Sequence, residues 1–322
     1  MYSRTQRDNS YLDRLLNFIH QEYGILSTGI TPAKRGFYGE TWKIESARES
    51  YFVKVDYSTA HKSLYEQSFS VIQYLHQHGI EFISRVVKTG DGSLFTHFDR
   101  AVLGIFHWIE GENIENEWTT FQEYKLLAKI YTVPTTGIQI ASEDFSTKSA
   151  ELFYVQWARL KKEQKRNNPT RTIALLNSNS EKLAHRAEKL NLFAEQCRPD
   201  QSHFYITHGD PGGNIIVNGL DCYLVDWDAP LLAPPERDAW FSLNFDWAIA
   251  AFNEQLKQNG IAYTLRLERM AYYCYHSFFT YLTEYLEAYL DIGDCIGNFA
   301  ETLSEYFESW IEAKIKYLDG MG

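Results

Sequence analysis

The chain has 322 residues, and its 42 aspartates and glutamates outnumber its 31 lysines and arginines, which gives a formal charge of −11. This charge argues against nucleic acid as the main partner, because phosphate binding rewards basic surfaces, and it suits a cationic small molecule. No apolar run approaches membrane-spanning length, and the polar first residues are not typical of a secretory leader. With four widely spaced cysteines, the sequence predicts a cytoplasmic protein with reduced thiols and no membrane partner.

Strand-like and helical segments alternate over the first hundred residues. Apolar residues recur at helical spacing from Leu12 to Tyr23, and Gly24 follows at a natural helix end. A turn that contains Gly36 and Gly39 comes next. The remaining predicted elements are strands at 41–45 and 51–56, a helix at 63–78, and strands at 83–88, 94–98 and 101–108. This order predicts a small mixed domain.

Long helices dominate after residue 119. A strand–loop–strand unit at 204–227 interrupts them, and Asn218-Gly219 within it predicts a hairpin turn because both residues tolerate positive φ. Since strands give way to helices near Glu110-Gly111, we predict an N-terminal domain at 1–110 and a helical domain at 111–322. The predicted helices span 121–131, 151–165 and 181–196, with a helical tail from 241 to the end.

The most informative motif is HGDPGGN at residues 208–214, followed by LVDWD at 224–228. It places Asp210 after a short strand, Asn214 a few residues on, and Asp226 at the end of the next strand but one. Phosphoryl transfer needs such a set: a carboxylate that orients an attacking hydroxyl and accepts its proton, and an amide and a carboxylate that hold Mg²⁺ against phosphates. Each piece alone is weak evidence, but the ordered set indicates phosphoryl transfer.

A lysine lies inside the apolar strand YFVKV at 51–55. Burying the ammonium of Lys54 is costly unless it reaches a partner. Two interpretations are open: the amine reaches ATP phosphates, or it points to solvent from an edge strand. Glu66, on the next helix, is a candidate partner for Lys54, and Glu40 and Glu49 compete for this role.

Residues around the motif have more ordinary interpretations. We expect His208 to bond to backbone and hold Asp210 in place. The run ERD at 236–238 is predicted to be ion-paired or helix-capping. Asp228 has two open roles, one in metal or acceptor binding and one as a plain acidic residue. The loop with Gly36 and Gly39 could cover phosphates with backbone N–H groups, although a hairpin explains two glycines nearly as well.

With these residues in hand, the chain resembles the aminoglycoside phosphotransferase family, relatives of protein kinases that phosphorylate small-molecule hydroxyls. The run VDWDAPLLAPPERD at 225–238 is most similar to the spectinomycin phosphotransferase branch. The resemblance implies an α+β, two-lobed protein-kinase-like fold with a small antiparallel β-sheet lobe and a larger, mostly helical C-terminal lobe. It also implies ATP and Mg²⁺ as cofactors.

The resemblance assigns roles to the motif residues. It matches Lys54 to the phosphate-contacting lysine and Glu66 to its helix partner. It matches Asp210 to the catalytic base, and Asn214 and Asp226 to the metal ligands. In such a fold, the strand end at Phe106 to Ile109 would offer adenine a backbone donor–acceptor pair, and the alternative is a plain connector between the lobes with buried aromatic residues.

The chain departs from the family pattern between the catalytic aspartate and the asparagine. The family usually has four residues there, and this chain has three, Pro211, Gly212 and Gly213. One residue fewer shortens the reach by a few ångströms, but two adjacent glycines adopt conformations that can shorten the path. The family also often has a histidine where this chain has Tyr131, which we expect in the core.

The acceptor stays open at this point. We expect transfer of the ATP γ-phosphoryl group to a hydroxyl of a small cationic molecule, an aminoglycoside or aminocyclitol such as spectinomycin. Choline, homoserine and sugar-type kinases share the same motifs, and residues 272–289 would line the acceptor site. A third possibility is a non-catalytic kinase-like binding protein, against which the intact Lys54, Asp210 and Asp226 argue. The sequence makes no prediction of the oligomeric state.

Overall fold

The computed structural model describes residues 7–33, 39–57, 62–163, 170–292 and 299–320, so Gly36 lies outside the described residues. Its first helix, α1 (Asn9–Tyr23), begins where the Asp8 side chain accepts a hydrogen bond from the Tyr11 N–H, and it ends at Gly24. Gly24 has a φ of 67°, the left-handed conformation that suits glycine at a helix end. The helix end at Gly24 follows the sequence prediction, and the helix begins three residues before Leu12, the first of the apolar residues that predicted it.

The N-terminal part is built on one antiparallel sheet. Its strands are β1 (Ser27–Pro32), β2 (Gly39–Ser46), β3 (Ser50–Asp56), β4 (Val86–Val87), β5 (Thr96–Phe98) and β6 (Ala101–His107). They run in the order β1-β2-β3-β6-β4, and β5 also pairs with β6. Val53 and Val55 of β3 pack with α1 on one face of the sheet. Because side chains alternate along a strand, Lys54 lies on the other face, the side of α2 (Lys62–Gln77).

The C-terminal part is mostly helical, with three short strand pairings. Its helices are α3 (Glu117–Ile130), α4 (Lys148–Lys162), α5 (Thr170–Ser178), α6 (Ser180–Cys197), α7 (Glu236–Ala239), α8 (Asp246–Gln258), α9 (Leu267–Ile292), α10 (Phe299–Phe307) and α11 (Trp310–Asp319). Its strands are β7 (Glu112–Asn113), β8 (Tyr205–Thr207), β9 (Ile215–Asn218), β10 (Asp221–Leu224) and β11 (Leu231–Ala233). Aromatic residues of α4 and α9, among them Phe153 and Phe279, pack in its core.

The strand–loop–strand unit forms as predicted. The strands β9 and β10 pair antiparallel, and β8 pairs with β11. The turn between β9 and β10 contains Gly219, with a φ of 63°. Strand β7, directly after the predicted boundary, pairs with β9 of the C-terminal part. We therefore propose that the two parts divide near residue 110.

Five of the described elements were not predicted, namely the strands β1, β7 and β11 and the short helices α5 and α7. The predicted helix at 151–165 begins at Lys148 and ends at Lys162. No helix within the described ranges is long and apolar enough to cross a bilayer.

Candidate active site

A cleft with a volume of about 290 Å³ lies between the sheet and the strand–loop–strand unit. One wall comes from β3 and α2. The other comes from the segment that follows residues 208–214, the loop predicted to be catalytic and called the catalytic loop below. Among its lining residues are Phe52, Lys54, Tyr65, Trp108, Asn214, Asp226 and Asp228. The cleft thus receives the lysine and both residues predicted as metal ligands.

Lys54 reaches across this cleft. Its side chain is 3% exposed, and Nζ donates a hydrogen bond to Oδ1 of Asp226 at 2.8 Å. A second, short hydrogen bond joins Nζ to Oδ2 of Asp228. The solvent-facing interpretation of Lys54 is therefore wrong, because the ammonium is buried between two carboxylates.

The three charges shift one another's ionisation. Burial opposes the charge on Lys54, but Asp228 and Asp226 outweigh burial and raise the lysine pKa above its usual value. Burial also opposes ionisation of Asp226, but Lys54 holds the pKa of this carboxyl below its usual value. For Asp228, burial raises the pKa against the pull of Lys54, and the neighbouring Asp226 adds to the rise. Two carboxylates therefore share one ammonium, and a second cation would relieve the excess negative charge.

The backbone turns sharply to present Asp226. This residue follows β10 and has a φ of 65°, a left-handed conformation. Such a conformation costs a non-glycine residue of order 1 kcal/mol or more, although aspartate tolerates it better than most. The next residue, Trp227, is buried against His208, with ring centroids 4.6 Å apart. The buried indole fixes the turn, and the turn directs the Asp226 carboxylate into the cleft.

The loop that carries Asp210 is held by His208. Nε2 of this ring donates to the Val225 carbonyl at 2.9 Å, and Nδ1 accepts from the Asp210 N–H at 3.3 Å. The predicted structural role of His208 agrees with both contacts. For Asp210, burial raises the pKa, His208 counteracts the rise, and Asp226 adds to it. A raised pKa makes Asp210 a stronger base than an aspartate with the usual pKa.

The shortened loop closes into a tight turn. The Asn214 N–H donates to the Pro211 carbonyl at 3.0 Å, and Gly213 has a φ of 80°. The Asn214 side-chain Nδ2 donates to the Asp210 carbonyl at 2.8 Å. Despite the missing residue, Asn214 therefore lines the same cleft as Asp226.

Asp238 supports the catalytic loop by accepting hydrogen bonds from its backbone. Its carboxylate accepts hydrogen bonds from the His208 N–H at 3.0 Å and from the Gly209 N–H at 2.6 Å. The Tyr131 hydroxyl donates to it at 2.8 Å. Tyr131 is buried as expected, but the sequence analysis missed this hydrogen bond. This hydrogen bond could have been predicted from the histidine that the family often has at position 131, since a polar residue there implies a polar partner.

The rest of the ERD run also makes structural contacts. Arg237 donates to Thr207 Oγ1 at 3.0 Å and to the Ala229 carbonyl at 2.8 Å. Glu236 accepts from the Tyr263 hydroxyl at 2.6 Å. The run was predicted to be ion-paired or capping, and its contacts are hydrogen bonds to backbone and side chains. Together they position the segments on both sides of the catalytic loop.

Replacing Asp238 by alanine is expected to lower the free energy of unfolding by about 3 kcal/mol or more, because buried donors lose a charged acceptor. Chemical denaturation would measure this change, and turnover should fall as the loop loosens. The control Asp13→Ala, on the exposed face of α1, should change stability by less than about 0.5 kcal/mol. Equal stability of the two variants would contradict the role of Asp238.

Glu66 does not form the expected pair with Lys54 in the described structure. Its carboxylate is 3.1 Å from Nε2 of His97 and 3.9 Å from Nζ of Lys62. Consecutive helical residues differ by about 100° in direction, so Tyr65 faces Lys54 and Glu66 faces away. The competing carboxylates are engaged elsewhere, Glu40 with Arg7 and Glu49 with His107.

Two backbone donors of the segment expected to contact adenine are engaged within the protein. The Trp108 N–H donates to the Ser50 carbonyl at 3.1 Å, and the His107 N–H donates to the Arg85 carbonyl at 2.9 Å. The expected adenine donor is therefore not the Trp108 amide. The Trp108 indole N–H, in contrast, is buried without a partner among the described residues, and this side chain lines the cleft. Phe106 is buried and stacks on Phe69 at 5.5 Å.

Gly39 has a packing reason to be glycine. It pairs with Asp56 at the start of β2, and an added Cβ would run into the carbonyl of Val55. Glycine therefore permits the close approach of β2 and β3 at the mouth of the cleft. Gly36, the other predicted loop glycine, lies outside the described residues.

An antiparallel sheet with one main helix, a helical second part and a lysine–aspartate cleft between them define a two-lobed protein-kinase-like fold. The structure is similar to that of a spectinomycin phosphotransferase, APH(9)-Ia, in complex with ADP and spectinomycin, with a TM-score of 0.76 at 20% identity over 95% of this chain and 98% of that chain. It is also similar to a choline kinase from Cryptosporidium parvum, with a TM-score of 0.59 at 9% identity over 96% of this chain and 97% of that chain.

The sequence model of the phosphotransferase enzyme family, APH, matches residues 29–273, and the chain belongs to this family. A comparison with curated proteins gives no match. The fold class and the family resemblance predicted from the sequence are confirmed. The protein is therefore a phosphotransferase of the small-molecule kinase class.

Proposed function

We propose that the protein transfers the γ-phosphoryl group of ATP to a hydroxyl of a small cationic molecule, with an aminoglycoside or aminocyclitol such as spectinomycin as the first candidate. The observation that carries this proposal is the buried Lys54 ammonium, 2.8 Å from Asp226 in a cleft that also receives Asn214. Structures similar to this one were solved with ADP, AMP or AMP-PNP, which supports a nucleotide in the cleft.

The chemistry of the cleft suits Mg²⁺. This ion, when bound, neutralises charge on phosphate oxygens, and it usually takes only one or two protein carboxylates. No cluster of three or more His, Cys, Asp or Glu side chains suited to a metal occurs in the described part of the chain. Asp226 and the amide oxygen of Asn214 would hold Mg²⁺, and Asp228 is the additional carboxylate beside them. The surplus charge of the two aspartates around one lysine supports this assignment.

Asp210 would act as the catalytic base. Its carboxylate orients the acceptor hydroxyl and takes the proton late, because the transition state of phosphoryl transfer is loose. His208 and Asn214 hold the backbone of Asp210 on both sides, so the carboxylate is positioned before the acceptor binds. Lys54 would contact the phosphates. Positioning and electrostatics then supply most of the acceleration.

A carboxylate near Asp210 supports a cationic acceptor. A Cβ added to Gly213 would lie 2.9 Å from the Glu115 carboxylate, so this group borders the catalytic loop. A carboxylate in this position attracts an amine and repels an anionic substrate.

The compartment is also a proposal. The three cysteines in the described ranges, Cys197, Cys222 and Cys274, are buried and free. Free buried thiols support a reducing, cytoplasmic environment.

Nucleotide binding and acceptor choice can be tested on the full chain. Thermal shift with ATP should show stabilisation that requires Mg²⁺, of about 2.7 kcal/mol when the nucleotide is at 100 times its Kd. An ADP-release screen of spectinomycin, aminoglycosides, choline and sugars should show turnover with a cationic aminocyclitol. The Lys54→Met variant should lose both responses. Preferred turnover of choline or a sugar would change the acceptor class, and no nucleotide response would favour the non-catalytic binding protein.

A further inference from the structure

The hydroxyl of Tyr65 is buried beside the cleft and unpaired within the described ranges. Tyr65 is 1% exposed and lines the cleft, and its Oη has no hydrogen-bond partner within the described ranges. Most buried polar groups in folded proteins are paired, because an unpaired donor loses its bonds to water. An unpaired buried hydroxyl beside a binding cleft indicates that its hydrogen-bond acceptor is supplied when a ligand binds.

The ring of Tyr65 is placed to contact the cleft lysine. Nζ of Lys54 lies 5.3 Å from the centroid of the Tyr65 ring. The ring of Phe69, which is also on α2, lies 4.9 Å from the Tyr65 ring between centroids. Gly104 pairs with Lys54 across the sheet. A Cβ added to Gly104 would run into the Phe69 ring and would lie 3.4 Å from the Tyr65 Oη. Glycine at this position therefore leaves room for both rings beneath the lysine.

Negative charge lies near Tyr65, because the Lys54 ammonium over its ring is paired with Asp226 and Asp228. Burial raises the pKa of Tyr65 well above its usual value, and the carboxylates of Asp228, Asp56 and Asp226 add to the rise in that order. The hydroxyl therefore stays protonated and can only donate to these groups. Asp228 has the largest influence of the three.

In a nucleotide complex the phosphates would compete with two carboxylates for Lys54. In the structure its ammonium forms ion pairs with Asp226 and Asp228. If it turns to the phosphates, Asp228 remains half-buried without its cation, and an unpaired buried carboxylate is costly. A second donor near Asp228 would remove this cost, and the Tyr65 hydroxyl belongs to a residue that lines the same cleft and has no partner among the described residues.

We propose that Tyr65 is the positioning residue for Lys54, in the role predicted for Glu66. Its ring face supports the ammonium ion through a cation–π contact, and its hydroxyl donates to Asp228 when Lys54 turns to the nucleotide. This inference rests on the proposed function, because it requires a nucleotide that draws Lys54 away.

The variants Tyr65→Phe and Tyr65→Leu separate the two contributions. Tyr65→Phe should weaken Mg–ATP binding by about tenfold, the effect of one hydrogen bond to a charged group, while the melting temperature of the nucleotide-free protein stays equal or rises. Tyr65→Leu should lose about another tenfold in kcat/KM, because the ring face is also gone. Calorimetric titration, steady-state kinetics and thermal melts of the full chain measure these quantities.

Two further variants make the test specific. Tyr74→Phe, on the same helix, removes a hydroxyl bonded to Pro134 and Thr136 and should leave the nucleotide Kd unchanged. Glu66→Gln tests the rival positioning group. The proposal is overturned if Tyr65→Phe binds Mg–ATP like wild type, or if Glu66→Gln loses as much affinity as Tyr65→Leu. Failure of the wild type to bind any nucleotide would overturn the proposed function and this inference together, whereas normal wild-type binding isolates the inference.

Discussion

Replacing Asp210 by alanine is expected to lower kcat by about 10²–10⁴-fold, the usual contribution of a positioned acid–base group. The affinity for Mg–ATP should change little, because Asp210 does not line the part of the cleft that holds Lys54 and Asp226. ADP release at saturating acceptor measures kcat, and calorimetric titration with Mg–ATP measures affinity.

The companion variant Asp210→Asn tests whether the loss comes from the missing base. Asparagine keeps the size of the side chain and its hydrogen-bonding capacity but cannot accept the proton as a carboxylate does. Its turnover should be as low as that of the alanine variant, while Asp13→Ala should match wild type. Normal turnover of purified Asp210→Ala would reject Asp210 as the catalytic base.

The arrangement of residues around the catalytic loop could be predicted from the sequence because it depends on residues that are close together in the chain. Asp210, Asn214 and Asp226 lie within seventeen positions, and the short strands β8, β9 and β10 leave few ways to arrange them. The hairpin at Gly219 adds a second local constraint, since glycine accepts the positive φ of the turn. Short-range chain geometry therefore brings Asn214 and Asp226 into the same cleft.

The partners of Lys54 depend on long-range geometry, and the structure places Tyr65, and not the expected Glu66, beside the lysine. Which of these two neighbouring residues faces Lys54 depends on the rotation of α2 about its axis. Apolar periodicity defines that rotation only to within a residue or so. Asp228 was also left open, because its contact with Lys54 joins residues 174 apart in the sequence.

Irregular strands were the other omission. Strand β1, with the sequence STGITP, has no clear alternation of apolar residues, and it forms because it pairs with β2. Likewise, the three-residue strand β11 depends on its pairing with β8. Short edge strands of this kind are specified by their neighbours more than by their own residues.

Replacing Asp226 by alanine is expected to separate activity from stability. Turnover and Mg-dependent nucleotide binding should both fall. We expect kcat/KM to decrease about 10³-fold, because several kcal/mol of charge stabilisation on the phosphates depend on the metal ligand. Folding stability should fall by only about 1 kcal/mol, because alanine tolerates the left-handed backbone at this position less well than aspartate. Lys54 keeps Asp228 as a partner, and the repulsion between the two carboxylates disappears.

The Mg²⁺ dependence of activity distinguishes this assignment from a general disturbance of the cleft. The Asp226→Asn variant keeps the left-handed backbone at φ 65°, which asparagine also tolerates, so it changes the charge and not the turn. Both variants should need higher Mg²⁺ for half-maximal activity, whereas Asp210→Ala should keep the wild-type requirement. An unchanged Mg²⁺ requirement in Asp226→Asn would exclude Asp226 as a ligand. It would leave Asp226 the role of holding Lys54, with which its carboxylate forms an ion pair.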